Sequence, residues 1–282
     1  MGVRVEPLTG VIGAEVYGID LRAPLSDGTR TALRDALAEH LVLFFHDQQL
    51  NDRQHRDFAA QFGPLEPFAF APTADGDLPE MHALAFEDGA AALGSRVDSW
   101  HTDGTFMPMP PNATVLRAVE LPPYGGDTCW ANMYAAYDAL SAPLRSMLDE
   151  LDAEHDFMKI TYTTFDDADD PEAELRRLRE RYPVVRHPLV CAHPDTGRKL
   201  LYCNRNYVTR IVGMTERENE LLLPFLFDHV RDPRFQCRFR WRDGSVAIWD
   251  NRATQHLGVP DYPGRRVMHR VVLEGTARPA RV

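Results

Sequence analysis

Apolar residues recur at helical spacing at Leu33, Leu37 and Leu41, with polar residues between them, which predicts a helix over about residues 28–40. A second helix is expected after Asn51 and ends at Gly63. Between them the run LVLFF, residues 41–45, reads as a buried strand. A third helix follows Thr215, where TERE forms a capping box with Glu218 reaching back. Its expected apolar face is Leu221, Leu222 and Phe225, and Pro224 should kink or shorten it.

Elsewhere strand signals dominate. Residues 113–121, 235–241, 245–250 and 267–274 read as strands, and Phe235, Cys237, Phe239 and Trp241 share one face of the second. Many strands with turn-rich connections, including 21 Pro and 18 Gly, point to a sandwich or barrel rather than alternating βαβ units. No internal repeat interrupts this, and one domain over 1–282 is expected. Residues 165–182 form an acidic run leading into a charged helix, expected to be a solvated surface insertion, although a lid over an active site has the same pattern.

Composition narrows the function. A chain of 282 residues with 44% hydrophobic content can bury a sizeable core. A formal charge of −11 argues against nucleic acid as a partner, because binding a polyanion needs clustered Lys and Arg. Cys129, Cys191, Cys203 and Cys237 lie far apart without a CxxC pair, so they are expected to be reduced, half-buried thiols. With no signal-peptide pattern and no membrane-length apolar run, the expected location is the cytoplasm, with no membrane partner.

The candidate chemistry begins in WHTDGTF. In an extended segment His101 and Asp103 point the same way and Thr102 points away, so both can bind one ion. The best third ligand is His256 in AIWDNRATQH, 153 positions after Asp103. Two histidines and a carboxylate make the facial triad of non-haem Fe(II) oxygenases, and a catalytic zinc hydrolase uses the same ligand types. In GRRVMHRVVLEG, Arg266 and Arg270 share one strand face, with His269 on the other. Two guanidiniums inside a barrel-like fold each call for an anion. One fits the distal carboxylate of 2-oxoglutarate and the other an acidic group on the primary substrate.

Together WHTDGTF, YGGDTCWANMYAAYDAL, AEHDF, TRIV, AIWDNRATQH and RRVMHR resemble the taurine dioxygenase branch of the TauD/TfdA family of Fe(II)/2-oxoglutarate dioxygenases, and the likeness covers essentially the whole chain. The resemblance implies an α+β fold with a mainly β core: a double-stranded β-helix, or jelly roll, with flanking helices. It also implies a long insertion between metal ligands that includes about 155–200. His101, Asp103 and His256 match the iron ligands, Arg266 and Thr128 the residues that hold 2-oxoglutarate, and Arg270 the residue that meets the sulfonate of taurine. The implied reaction consumes 2-oxoglutarate and O2, releases succinate and CO2, and hydroxylates the substrate. A hydroxylated carbon bearing sulfonate or sulfate then collapses to an aldehyde with loss of sulfite or sulfate.

The likeness breaks down in the substrate pocket. Phe68 and Ala71 stand where taurine-specific members carry a histidine and a tyrosine, and Val97 replaces an asparagine. A site without those polar groups discriminates poorly for a small zwitterion. Val97, Phe68 and Tyr207 instead suit an alkyl sulfonate, an alkyl sulfate or an aryl-alkyl acid. The competing expectations are the same chemistry on an aryloxy or other carboxylic acid, and a catalytically silent jelly-roll module that binds metal and 2-oxoglutarate. The family likeness also implies a homo-oligomer, dimer or tetramer.

Overall fold

A computed structural model describes residues 2–67, 77–89, 99–160 and 170–281. Phe68, Ala71 and Val97 lie outside the described residues, as do 165–169 of the acidic run.

The chain opens with strands β1 (Arg4–Pro7) and β2 (Ala14–Tyr17), helix α1 (Asp27–His40), β3 (Val42–Phe45) and α2 (Asp52–Ala60). Strands β4 (Leu65–Glu66), β5 (Met81–Glu87), β6 (Ala113–Glu120) and β7 (Thr128–Asn132) lead to α3 (Met133–Asp138) and α4 (Ala142–Leu148). Then come β8 (Asp152–His155), α5 (Pro171–Arg181), β9 (Val185–Pro188), β10 (Val190–Ala192), β11 (Lys199–Leu201), β12 (Val208–Ile211) and α6 (Glu216–His229). The chain closes with β13 (Gln236–Phe239), β14 (Val246–Asp250), β15 (Thr254–Gly258) and β16 (Arg265–Leu273).

Two facing sheets make the jelly-roll core. The larger has the order β1-β2-β3-β14-β6-β16-β4, with β5 also paired to β16, and the smaller has the order β13-β7-β15. Between them Phe44, Trp249 and Met268 of the large sheet meet Trp130 and Phe239 of the small one. The opposite face of the large sheet is covered by α1 and α2, where Leu33, Leu37 and Phe58 pack on Leu43, Phe45, Val246 and Ile248. Central strands covered on both faces have no solvent side, which is why β3 and β14 read as unbroken apolar runs. Among the described residues no helix is long and apolar enough to cross a membrane.

The helix starts follow the expected capping chemistry. Thr215 and Glu218 cap α6 reciprocally, and Asn51 with Gln54 does the same for α2, which ends at Ala60, short of Gly63. The expected face of α6 is corrected at two of its three residues, since only Leu222 packs on the core. Leu221 and Phe225 are 71% and 48% exposed, while Leu223, Leu226, Phe227 and Val230 are buried. Within LLLPFLF several stripes look alike, but only the buried one continues in apolar residues to Val230, whereas the Leu221–Phe225 stripe runs into Asp228 and Asp232. Pro224 does not end the helix, because it sits on the exposed side, where the carbonyl it leaves unbonded faces solvent. The four cysteines are free and buried rather than half-buried.

The charged helix is also more than a solvated segment. Leu178 of α5 is buried, and with Tyr182 it joins a cluster containing Phe106, Phe157 and Tyr207.

Candidate metal centre and active site

His101 and His256 are 155 residues apart in sequence, and the backbone brings them face to face. On the free edge of β15, His256 N–H donates to His101 O at 2.8 Å and His101 N–H donates to His256 O at 3.1 Å. Side chains of such a directly opposed pair lie on the same face, and the two rings are 4.2 Å apart between centroids. Thr102 points away and donates its hydroxyl to Thr254 O at 2.8 Å. Gly104, at φ +66°, then turns the chain where a Cβ would meet Pro111 at 2.6 Å.

This register converges His101 Nε2, His256 Nε2 and Asp103 Oδ1. The two nitrogens lie 3.7 and 3.9 Å from that oxygen, and one ligand atom from each of the three residues falls within 4.8 Å of the others. His101 Nδ1 lies 2.8 Å from Ser99 O, to which it donates, so Nε2 keeps its lone pair for the centre. Burial lowers the pKa of both rings, that of His256 to about 3, so both rings are neutral at neutral pH and can offer a lone pair. Burial alone would raise the Asp103 carboxyl, but Arg270 and the two histidines outweigh it and hold the group below its ordinary value. Three buried lone-pair donors aimed at one point fit a divalent cation with open coordination positions.

Asn251 supports this arrangement from behind. Its side chain accepts from Asp103 N–H at 2.9 Å and donates to Asp103 O at 2.9 Å and Pro111 O at 3.0 Å. Asn251 holds Asp103, while Asp250 is paired with Arg252 and His193. A loop before β12 adds three ties: Asn206 accepts from Ser99 Oγ, Asn204 donates to Thr105 Oγ1 at 3.0 Å, and Cys203 O accepts from Gln255 at 2.7 Å. His155 and His187 hold the segment after Asp103, contacting Thr105 Oγ1 and Thr105 O.

Arg266 and Arg270 project from the same face of β16 but meet different surroundings. Arg270 NH1 lies 3.4 Å from Asp103 Oδ1, at the metal centre, with 11% of its side chain exposed. Arg266 is buried, and no carboxylate lies within ion-pair distance of it among the described residues. Its Nε donates to Gly126 O at 3.1 Å. Burial lowers its pKa, the expected penalty for a guanidinium without an anion. Two residues along from Gly126, the Thr128 hydroxyl accepts from Trp241 Nε1 at 2.9 Å, which leaves its proton free to be donated.

Of the predicted residues, His101, Asp103, His256 and Arg270 come together, Arg266 and Thr128 flank one turn, and Tyr207 packs on Phe106 with ring centroids 5.0 Å apart. Val97 and Phe68 lie outside the described residues. The supporting roles of Asn251, Trp241, Asn204 and Asn206 depend on pairings across the fold, and no local pattern announces them.

A jelly roll with two histidines and a carboxylate at the edge of its small sheet has the arrangement used by mononuclear non-haem metal oxygenases. The chain matches the model of the taurine catabolism dioxygenase TauD, TfdA family over residues 4–272. It is 39% identical over 277 residues to an alpha-ketoglutarate-dependent sulfate ester dioxygenase of Pseudomonas putida, covering 96% of this chain and 89% of that protein. It is 38% identical over 279 residues to an alkylsulfatase of Acinetobacter baylyi, covering 97% and 85%. The crystal structure of a taurine dioxygenase from Burkholderia xenovorans is similar with a TM-score of 0.82 at 37% identity, covering 98% of this chain and 90% of that one. The chain belongs to the TauD/TfdA family and is an Fe(II)- and 2-oxoglutarate-dependent dioxygenase.

Proposed function

We propose that the enzyme hydroxylates a small organic anion bearing a terminal sulfate ester or sulfonate, with alkyl sulfates the leading class. The observation that carries this reading is Arg270, a nearly buried guanidinium 3.4 Å from Asp103 Oδ1. An oxyanion held by Arg270 is held beside the metal centre, which brings the adjacent C–H bond to the place of reaction. The sulfate-directed names of the two relatives support the same class.

In this reading His101, Asp103 and His256 hold Fe(II), and iron bound there supplies the oxidising chemistry that turns 2-oxoglutarate and O2 into succinate, CO2 and a hydroxylated substrate. Arg266 takes the distal carboxylate of 2-oxoglutarate, and Thr128, with its acceptor side occupied by Trp241, donates its proton to the same group. Tyr207, with Val97 and Phe68, is assigned to the wall around the substrate's organic portion. Hydroxylation next to the sulfate oxygen gives an unstable adduct that collapses to an aldehyde and sulfate. The family likeness also supports a homo-oligomer, and the expected location stays the cytoplasm.

The test is succinate release from 2-oxoglutarate by anaerobically iron-loaded protein on exposure to O2, across alkyl sulfates, alkyl sulfonates, taurine and aryloxy acids. Succinate above the substrate-free rate with an alkyl sulfate or sulfonate, lost in His101→Ala, is the expected outcome. Stimulation by aryloxy acids alone would move the reading to carboxylate substrates.

A further inference from the structure

Gly125 and Gly126 are consecutive left-handed residues, at φ +74° and +71°, in the turn that leads into β7. Each is pressed against the segment before or within β16. A Cβ on Gly125 would lie 2.4 Å from Asp261 O, and one on Gly126 would lie 3.0 Å from Arg266 Cδ and Nε. Only glycine combines that conformation with that closeness.

The turn is pinned from outside. Asp261 Oδ1 accepts from Gly126 N–H at 2.9 Å, and Asp261 Oδ2 accepts from Arg238 NH2 at 3.1 Å. Arg238 Nε also donates to Asp127 Oδ2 at 2.6 Å, and Asp127 O accepts from Val259 N–H at 2.9 Å. The peptide between Gly126 and Asp127 is thus fixed at both ends, and its carbonyl is the acceptor for Arg266 Nε. With Nε committed, the two terminal nitrogens of Arg266 are the ones left to grip a carboxylate as a fork. Thr128 follows on the same pinned segment.

We infer that Asp261, acting with Arg238, is a positioning residue for 2-oxoglutarate: it fixes the Gly125–Gly126 turn and, through it, the direction of the Arg266 guanidinium. The inference rests on the proposed role of Arg266. The side chains of Arg238 and Asp261 are 53% and 46% exposed, so their ion pair adds little to folding and can be removed without emptying the core.

The test compares Asp261→Ala, Asp261→Asn and Arg266→Met in the full-length iron enzyme, reading KM for 2-oxoglutarate against KM for the sulfate or sulfonate substrate. Thermal stabilisation of the Mn(II)-loaded protein by 2-oxoglutarate reads binding without turnover. Asp261→Ala should raise KM for 2-oxoglutarate by about tenfold, the lower end of what removing a group behind a ligand-holding residue costs. It should shrink the thermal shift and leave KM for the other substrate in place. Asp261→Asn should recover part of the loss, because its amide oxygen still accepts from Gly126 N–H. If Asp261→Ala binds 2-oxoglutarate like wild type while Arg266→Met does not, the positioning role is wrong and the Arg266 assignment stands. An unchanged Arg266→Met overturns both. A rise in both KM values with a lowered melting temperature marks general loosening and also overturns the inference.

Discussion

At the residue scale, the site depends on side chains that touch no substrate. Asn251 bonds the main chain of Asp103 in both directions, as a neighbouring strand would. Asn251→Ala leaves a buried N–H and two carbonyls without that partner, at about 1–3 kcal/mol for each group left unsatisfied. It also frees Asp103 to turn away from the two histidines. We expect a loss of metal affinity of about 10–100-fold. Titration with Mn(II) or Co(II) measures it, and unchanged affinity would show that Asp103 is held by other means. The candidate ligands are legible in the sequence because their residue types are rare in such company. Asn251 is not, since asparagine after a strand is usually a turn residue, and its partner lies 148 positions away.

At the scale of elements, local rules worked wherever an element is decided by its own residues. The starts of α2 after Asn51 and of α6 after Thr215, and the continuous apolar runs of β3 and β14, are of this kind. They failed where a neighbour makes the choice. The rotation of α6 is set by what lies beneath it, so Leu226 faces the core and Leu221 faces solvent. Leu226→Ala should therefore cost about 2–5 kcal/mol in urea denaturation, and Leu221→Ala no more than about 0.5 kcal/mol. Equal costs would restore the face expected from the sequence. The loop of residues 203–207 taught the same lesson: only the assembled fold shows that its asparagines tie down the residues on either side of the His101–Asp103 pair.

At the scale of the whole molecule, the large sheet separates two cores, and each side buries a histidine outside the site. His55, under α2 with Asp52, Arg117 and His269 nearby, is fully buried, and its pKa is pushed down to about 3, chiefly by burial. Burial beside His187 and Lys159 drives His155 well below its ordinary value too. Both stay neutral in the folded protein while the unfolded chain takes up protons below about pH 6.5. Their stabilising effect is thus complete above that pH and is lost as pH falls toward the folded pKa, by about 1.4 kcal/mol per pH unit for each group. Urea midpoints should drop steeply between pH 7 and 5, and His55→Gln should flatten that slope; a parallel curve would exonerate His55. The pairing of His101 with His256 has a different kind of consequence. The first two proposed ligands leave the ribosome long before the third, and nothing aligns them until β15 has formed and offered its free edge. Until His256 has been made and β15 has folded, the proposed iron site is incomplete, so the oxidising centre assembles only after most of the sheet strands that enclose it have been made.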